Sequence, residues 1–208
     1  MTFEAIKNII ETGENSIEAS NKFNDGRINS IKDEKEIADY VKSLFGNKCV
    51  IAPPRFWYDI SLTIDGKFYP INIKSVTGAS QDNISSKEGL FYTVTGLDPK
   101  KENINKFSVF EEKMLNNINY DSDADYYFII FFKTSKQIFF SSLKRVYHLV
   151  PNGNNLPFQC KWNDNKEYSK RNNKEQIDFL IQTYFESVMK KINAHNYIVQ
   201  YMRRNFNE

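Results

Sequence analysis

Asp59, Asn72 and Lys74 are the residues whose types and spacing could do chemistry together. They lie in the run from Trp57 to Lys74, which reads as two alternating strands, rich in β-branched and aromatic residues, around Asp65-Gly66. That dipeptide is the strongest short-range hairpin signal. A tight type I′ turn on it makes Ile64 face Lys67, Leu62 face Tyr69 and Asp59 face Asn72. Opposed residues sit about 4.5–5.5 Å apart and project to one side of the sheet. Lys74 joins that side because strand side chains repeat every second residue. A carboxylate, a carboxamide and an ammonium thus converge on one patch, and a one-residue register slip would disperse them.

No other stretch competes. His148 and His195 are far apart and have no zinc-like spacing. The sequence has no phosphate-binding loop, no dinucleotide fingerprint and no Gly-x-Ser-x-Gly elbow. Cys49 and Cys160 are the only cysteines, so two buried thiols and a reducing, cytoplasmic setting are expected.

The elements that must position the patch follow from periodicity. Residues 2–12 read as a helix on Phe3, Ile6, Ile9 and Ile10, and the polar stretch from Asn15 to Ser30 as a loop. A second helix is predicted from Asp33 to Phe45, ended by Gly46-Asn47. Glu36 precedes its apolar stripe and either points toward the hairpin or is an ordinary first-turn acid favoured by the helix dipole. Lys48 to Ala52 reads as a short strand. Ser75 to Gly96 reads as a long polar excursion, of a length commonly functional or disordered. Residues 104–118 return to helix, and Tyr126 to Phe132 is apolar on both faces, like a central strand. Strand, helix and buried strand predict a right-handed βαβ crossover. Gln137 to Phe140 reads as another strand and Leu143 to Val150 as a short helix or strand. A turn follows at Asn152 to Asn155, then a strand over Phe158 to Asn163. A closing helix should bury Ile177, Leu180, Tyr184, Val188 and Ile192.

The whole of 1–208 is expected to form one α/β domain on a mixed sheet. Hydrophobic residues make up 40% and aromatics 15%, which excludes a disordered chain. The longest apolar run is too short to cross a bilayer, so no membrane partner is expected, and no signal peptide is read at the N-terminus. The net charge of +2 is unevenly divided: residues 133–208 carry 13 Lys/Arg against 6 Asp/Glu, and the first 132 carry 15 against 20. A basic C-terminal part meeting a polyanion is the reading this favours over an unevenly charged, solvated surface.

Asp59 followed, after a strand turn, by Asn72-Ile73-Lys74 resembles the PD-(D/E)xK nuclease motif, with Asn at the variable acid position. A Glu-bearing helix ahead, two antiparallel strands carrying the motif, a helix and a buried strand resemble that superfamily's restriction-endonuclease-like αβββαβ core with flanking helices. Within it, Glu36 to Val41, Phe158 to Asn163 and Glu175 to Phe179 resemble parts of small type II restriction endonucleases of the EcoRV-like branch. The resemblance covers roughly residues 30–190.

It implies a Mg²⁺-dependent, site-specific double-stranded DNA endonuclease. Asp59 would be the main hard oxygen ligand of Mg²⁺, with the Ile73 carbonyl a second and Glu36 binding directly or through water. Lys74 would hold the attacking water or stabilise the phosphorane-like state. Asn72 departs from the usual acid: its amide oxygen can ligate Mg²⁺ but brings no charge, so metal binding ahead of DNA should be weak. The resemblance also implies a homodimer on a palindromic site, 5′-phosphate products, blunt ends and a cognate methyltransferase. Base readout is expected from Thr77, Gln81 and Asn83 after the catalytic strand, and from Asn152, Asn154, Asn155, Gln159, Lys161, Asn163, Lys170 and Arg171 in the basic half. Asn and Gln suit adenine there, and Lys and Arg suit guanine. The alternatives are a repair or defence-complex nuclease of the same fold and a catalytically inactive DNA-binding protein.

Overall fold

In the computed structural model, which describes residues 1–12, 26–84 and 86–206, Thr2 caps the first helix by accepting the Ala5 N–H at 3.3 Å. That helix, α1, spans Phe3–Glu11 and buries Ile6 and Ile10. The second, α2, spans Gly26–Phe45 and buries Ile37, Ala38, Val41 and Phe45. The loop expected from Asn15 to Ser30 lies in part outside the described residues, and residues 26–30 are helical instead. Polar composition is no bar to a helix, which needs only one apolar stripe.

Strand β1 (Cys49–Ile51) pairs antiparallel with β2 (Ile60–Ile64), and β2 with β3 (Lys67–Val76). Asp65 and Gly66 both take positive φ, 51° and 77°, as a type I′ turn requires. The register is the expected one: Ile64 opposite Lys67, Leu62 opposite Tyr69 and Ile60 opposite Ile71.

The stretch after β3 differs from the polar excursion expected. It contains a short strand, β4 (Asp82–Ile84), and a helix, α3 (Lys87–Thr95), that buries Leu90, Phe91 and Val94. Ser86 caps α3 by accepting the Gly89 N–H at 2.8 Å, and Gly96 closes it in the left-handed region. Leu90, Phe91, Tyr92 and Val94 sit almost side by side, and Gly89, Thr93 and Thr95 are buried with them, so no helical period of apolar residues shows in the sequence. Gly89 lets α3 lie against the sheet, since a Cβ there would be 2.6 Å from the Tyr126 ring.

Helix α4 (Phe107–Asn116) completes the crossover to β5 (Tyr127–Phe132), which lies parallel to β3 and is buried throughout. Strand β6 (Gln137–Ser142) pairs antiparallel with β5, giving the order β1-β2-β3-β5-β6. The fold is therefore mixed α/β, with helix, three-strand meander, helical crossover and parallel strand in succession. One apolar core lies between the sheet and α1 and α2, and includes Ile60, Ile71, Ile73 and Ile129. The other lies under α3, α4 and the C-terminal helix, and includes Phe91, Phe110, Phe128 and Trp162.

A second sheet has the order β4-β8-β7, with β7 at Val150–Pro151 and β8 at Phe158–Cys160. The strand expected over Phe158 to Asn163 stops at Cys160, because Trp162 is fully buried and residues Trp162–Asn165 form a 3-10 turn. Leu143 to Val150 resolves into a 3-10 turn at Leu143–Arg145 and the start of β7. The closing helix, α5 (Asn173–Ala194), begins with a capping box of Asn172 and Glu175, and α6 (Asn196–Asn205) follows. Ile177, Leu180 and Tyr184 are buried as expected, but Ile192 is 53% exposed. Among the described residues no helix is long and apolar enough to cross a membrane.

Candidate active site

The β2–β3 ladder ends at Ile60 and Ile71, and Asp59 stands where the strands part. Its N–H donates to the Ile71 carbonyl at 3.0 Å, and its carbonyl accepts the Ala52 N–H at 2.9 Å. Its Oδ2 accepts the Ile73 N–H at 2.6 Å. Asp59 therefore straddles Asn72 rather than facing it squarely, which corrects the simple hairpin extrapolation. A strand residue turns its N–H and C=O to the same neighbour, so the Ile73 carbonyl is also directed to the gap that Asp59 occupies. Burial pushes the Asp59 carboxyl up from its ordinary range, and the Ile73 N–H and the Lys74 ammonium oppose that rise.

Asn72 and Lys74 occupy alternate positions of β3 and line a cavity of about 250 Å³ with Phe56, Asn83, Ser86, Glu88 and Tyr126. The Tyr126 hydroxyl donates its one proton to the Trp57 carbonyl at 2.6 Å. Asn72 lines the same cavity as that hydroxyl. Lys74 Nζ lies 3.6 Å from Asp82 Oδ1 and donates to the Asn83 carbonyl at 3.2 Å.

Glu36 is not at this site. It lies on the outer side of α2, within 3.8 Å of Lys32. Glu34 is the acid that faces the gap: it lines a neighbouring cavity of about 320 Å³ with Asp59, Ala38, Pro53 and Phe56. Burial first, and then the Asp59 charge, push its carboxyl up to about 7, against the pull of Lys74. The reason is helical phase. Positions 34, 38, 41 and 45 fall on one stripe, whereas 36 is turned about 200° from 34. That signal was present in the sequence beside Ala38, Val41 and Phe45. The preceding residue, fully buried Asp33, accepts from Ser75 Oγ at 2.8 Å and pairs with Lys133 at 3.2 Å, so it anchors α2 to the end of β3.

The two segments expected to read DNA meet in the small sheet, since β4 pairs with β8. Asn83, Asn152 and Gln159 form one amide cluster: Asn152 Nδ2 donates to Asn83 Oδ1 at 2.9 Å and to Gln159 Oε1 at 3.2 Å. Thr77, Gln81, Asn154, Asn155, Asn163 and Lys170 are exposed, and Lys161 is half-buried. Asn163 is tied back to the β3–β4 connection, its N–H donating to the Gly78 carbonyl at 3.2 Å. Two residues are engaged within the fold rather than presented. Asn152 is buried, and Arg171 donates to the Tyr147 carbonyl at 3.1 Å and stacks 3.8 Å over the Phe179 ring.

Among the described residues no group of three or more His, Cys, Asp or Glu side chains is set to hold a metal ion. The oxygen groups around the gap are the Asp59 and Glu34 carboxylates, with the exposed Asp39 in the same cavity, and the neutral oxygens of Asn72 in the adjoining cavity and of Ile73. Such a set suits a hard cation that keeps several of its waters, as Mg²⁺ does. Compared with protein-family models and with curated proteins, the chain matches none.

Proposed function

We propose that this protein is a Mg²⁺-dependent, sequence-specific endonuclease of double-stranded DNA, of the type II restriction kind. The observation that carries the reading is the Asp59 carboxylate in the gap between β2 and β3, with Glu34 pushed up to about 7 beside it and the Lys74 ammonium near both. A half-buried pair of acids costs stability until a cation neutralises it. A scaffold that only bound DNA would gain nothing by keeping the pair, which argues against the inactive alternative.

Asp59 and Glu34 would hold the metal, with Ile73 O and Asn72 Oδ1 as neutral donors. When bound, Mg²⁺ supplies positive charge to the phosphoryl oxygens and acidifies water. Lys74 is placed by Asp82 and Asn83 to donate to a phosphoryl oxygen or hold the attacking water as negative charge develops. Tyr126, its proton committed to the Trp57 carbonyl, takes no part in the chemistry of this scheme.

The basic C-terminal part would meet the phosphate backbone without specifying sequence. A homodimer belongs to the same proposal, because two-fold symmetry lets one short chain read both halves of a palindrome. Tyr197, Ile198, Tyr201 and Met202 of α6 are exposed and are the kind of surface a second copy would cover. Blunt ends with 5′-phosphates, a cytoplasmic location and a protecting methyltransferase complete it.

Incubation with plasmid DNA tests the reading. Discrete fragments that require Mg²⁺ and vanish with Lys74→Ala are expected. Nicks alone would favour a repair or defence-complex nuclease of the same fold. Binding without cleavage in either Mg²⁺ or Mn²⁺ would overturn both.

A further inference from the structure

Amide side chains are ordinarily ambiguous, because oxygen and nitrogen ends can each turn toward a ligand. Around Asn152 that ambiguity is removed by the backbone. Asn152 Oδ1 accepts the N–H groups of Asn154 and Asn155, each at 3.1 Å. Main-chain N–H groups can only donate, so the other end of Asn152 must be its nitrogen. That nitrogen gives one hydrogen to Asn83 Oδ1 and one to Gln159 Oε1. Both neighbours therefore turn their oxygens inward, and each leaves an NH₂ group for the surface.

Asn83 and Gln159 are opposite each other in the β4–β8 register, so the two NH₂ groups belong to one paired position of the small sheet. Asn83 is exposed and Gln159 half-buried, while Asn152 behind them is buried. Asn152 is itself fixed, since its N–H donates to Ser187 Oγ of α5 at 2.9 Å. The cluster is rigid on its inner side and open on its outer side.

We propose that Asn83 and Gln159 form a donor-only recognition site for hydrogen-bond acceptors on base edges in the major groove, with Asn152 as the positioning residue that sets its polarity. The inference rests on the DNA-cleavage reading and changes what that reading expects of these residues. An Asn or Gln free to turn pairs with adenine through both ends, giving to N7 and taking from N6. Asn83 and Gln159 have their accepting ends held by Asn152, so they select N7 and O6 of guanine, N7 of adenine or O4 of thymine. They discriminate against the exocyclic amino groups of adenine and cytosine.

The same strand ties this site to the candidate chemistry. The Asn83 carbonyl accepts from Lys74 Nζ, and the adjacent Asp82 pairs with Lys74 through Oδ1. Asp82 is in turn held by Trp162 Nε1, which donates to its Oδ2 at 2.8 Å. A base edge that draws on the Asn83 side chain acts on the residue whose main chain holds the lysine. Recognition and lysine placement thus share one residue.

The test uses the full-length protein and a random-sequence duplex pool, with selection by binding in a chelator so that no strand is cut. In the enriched duplex, single purines are replaced by 7-deazapurines and single thymines by 4-thiothymine, which remove or weaken one acceptor at a time. At one or two positions the wild type should lose roughly tenfold in affinity. Gln159→Leu or Asn83→Ala, each checked for an unchanged melting transition, should show no further loss at the position its side chain reads. Should either variant fail to fold, the conservative Gln159→Glu, which replaces a donor by an acceptor, is to shift enrichment toward adenine N6 or cytosine N4 at that position. Equal analogue penalties in wild type and variants would overturn the inference. So would DNA that is cut with Mg²⁺ but yields no enriched sequence, which would leave the nuclease reading standing. A protein that neither binds nor cuts duplex DNA would remove both.

Discussion

Glu34 and Asp59 come from different elements, α2 and the approach to β2, and face each other as two carboxylates at the gap where β2 leaves β3. Their proximity converts an unremarked helix acid into the strongest candidate for the accessory ligand. Glu34→Gln should lower Mg²⁺-dependent cleavage about 10²-fold at fixed metal, whereas Glu36→Gln should leave it within about twofold. Initial cleavage rates over a Mg²⁺ titration check this, and equal rates for the two variants would return Glu34 to a structural role.

The same pair makes stability depend on pH in a definite direction. The Glu34 carboxyl titrates at about 7 in the fold against 4.5 ordinarily, so the folded protein binds this proton more tightly than the unfolded chain. The associated stability is full below about 4.5 and is lost as pH rises through about 7. Asp59, also raised, adds in the same sense. Melting temperature in a chelator should therefore fall between pH 5 and pH 8. Glu34→Gln should flatten that fall, and Mg²⁺ should oppose it at pH 8 by binding the folded state. An identical pH profile for wild type and Glu34→Gln would rule the argument out.

Asn72 lines the same cavity as Tyr126, whose hydroxyl proton is committed to Trp57. Asn72→Asp adds a charge to the metal set and puts a second carboxylate into the cavity that Glu88 already lines. Apparent Mg²⁺ affinity should tighten while metal-free melting temperature drops, and the two should converge as Mg²⁺ is added. A metal titration that matches wild type would argue against residue 72 as a ligand.

Gly89 sets how closely α3 approaches β5. Gly89→Ala would put a methyl 2.6 Å from the Tyr126 ring, and overpacking of this kind costs about 1–3 kcal/mol. Because Tyr126 lines the cavity of Asn72 and Lys74, denaturant midpoint and cleavage rate should fall together. A stable variant with lowered activity alone would mean that the ring shifts without loosening the core.

Local sequence determined the hairpin, its type I′ turn and its register, because Asp-Gly geometry and period-two patterning act within about ten residues. It also determined that β5 is buried on both faces and that Lys74 follows Asn72 on one side of β3. Tertiary structure decided the rest. Asp59 left the ladder because the strands part at Ile60 and Ile71, so its carboxylate found the Ile73 N–H instead of opposing Asn72. Glu34 replaced Glu36 because the azimuth of α2 over the sheet is fixed by Ile37, Val41 and the buried Asp33, which charge and position along the chain do not reveal. The orientations of the Asn83 and Gln159 amides depended on Asn152, distant in sequence from Asn83 and brought to it only by the pairing of β4 with β8. Periodicity reports which face a side chain is on, and only packing reports what that face meets.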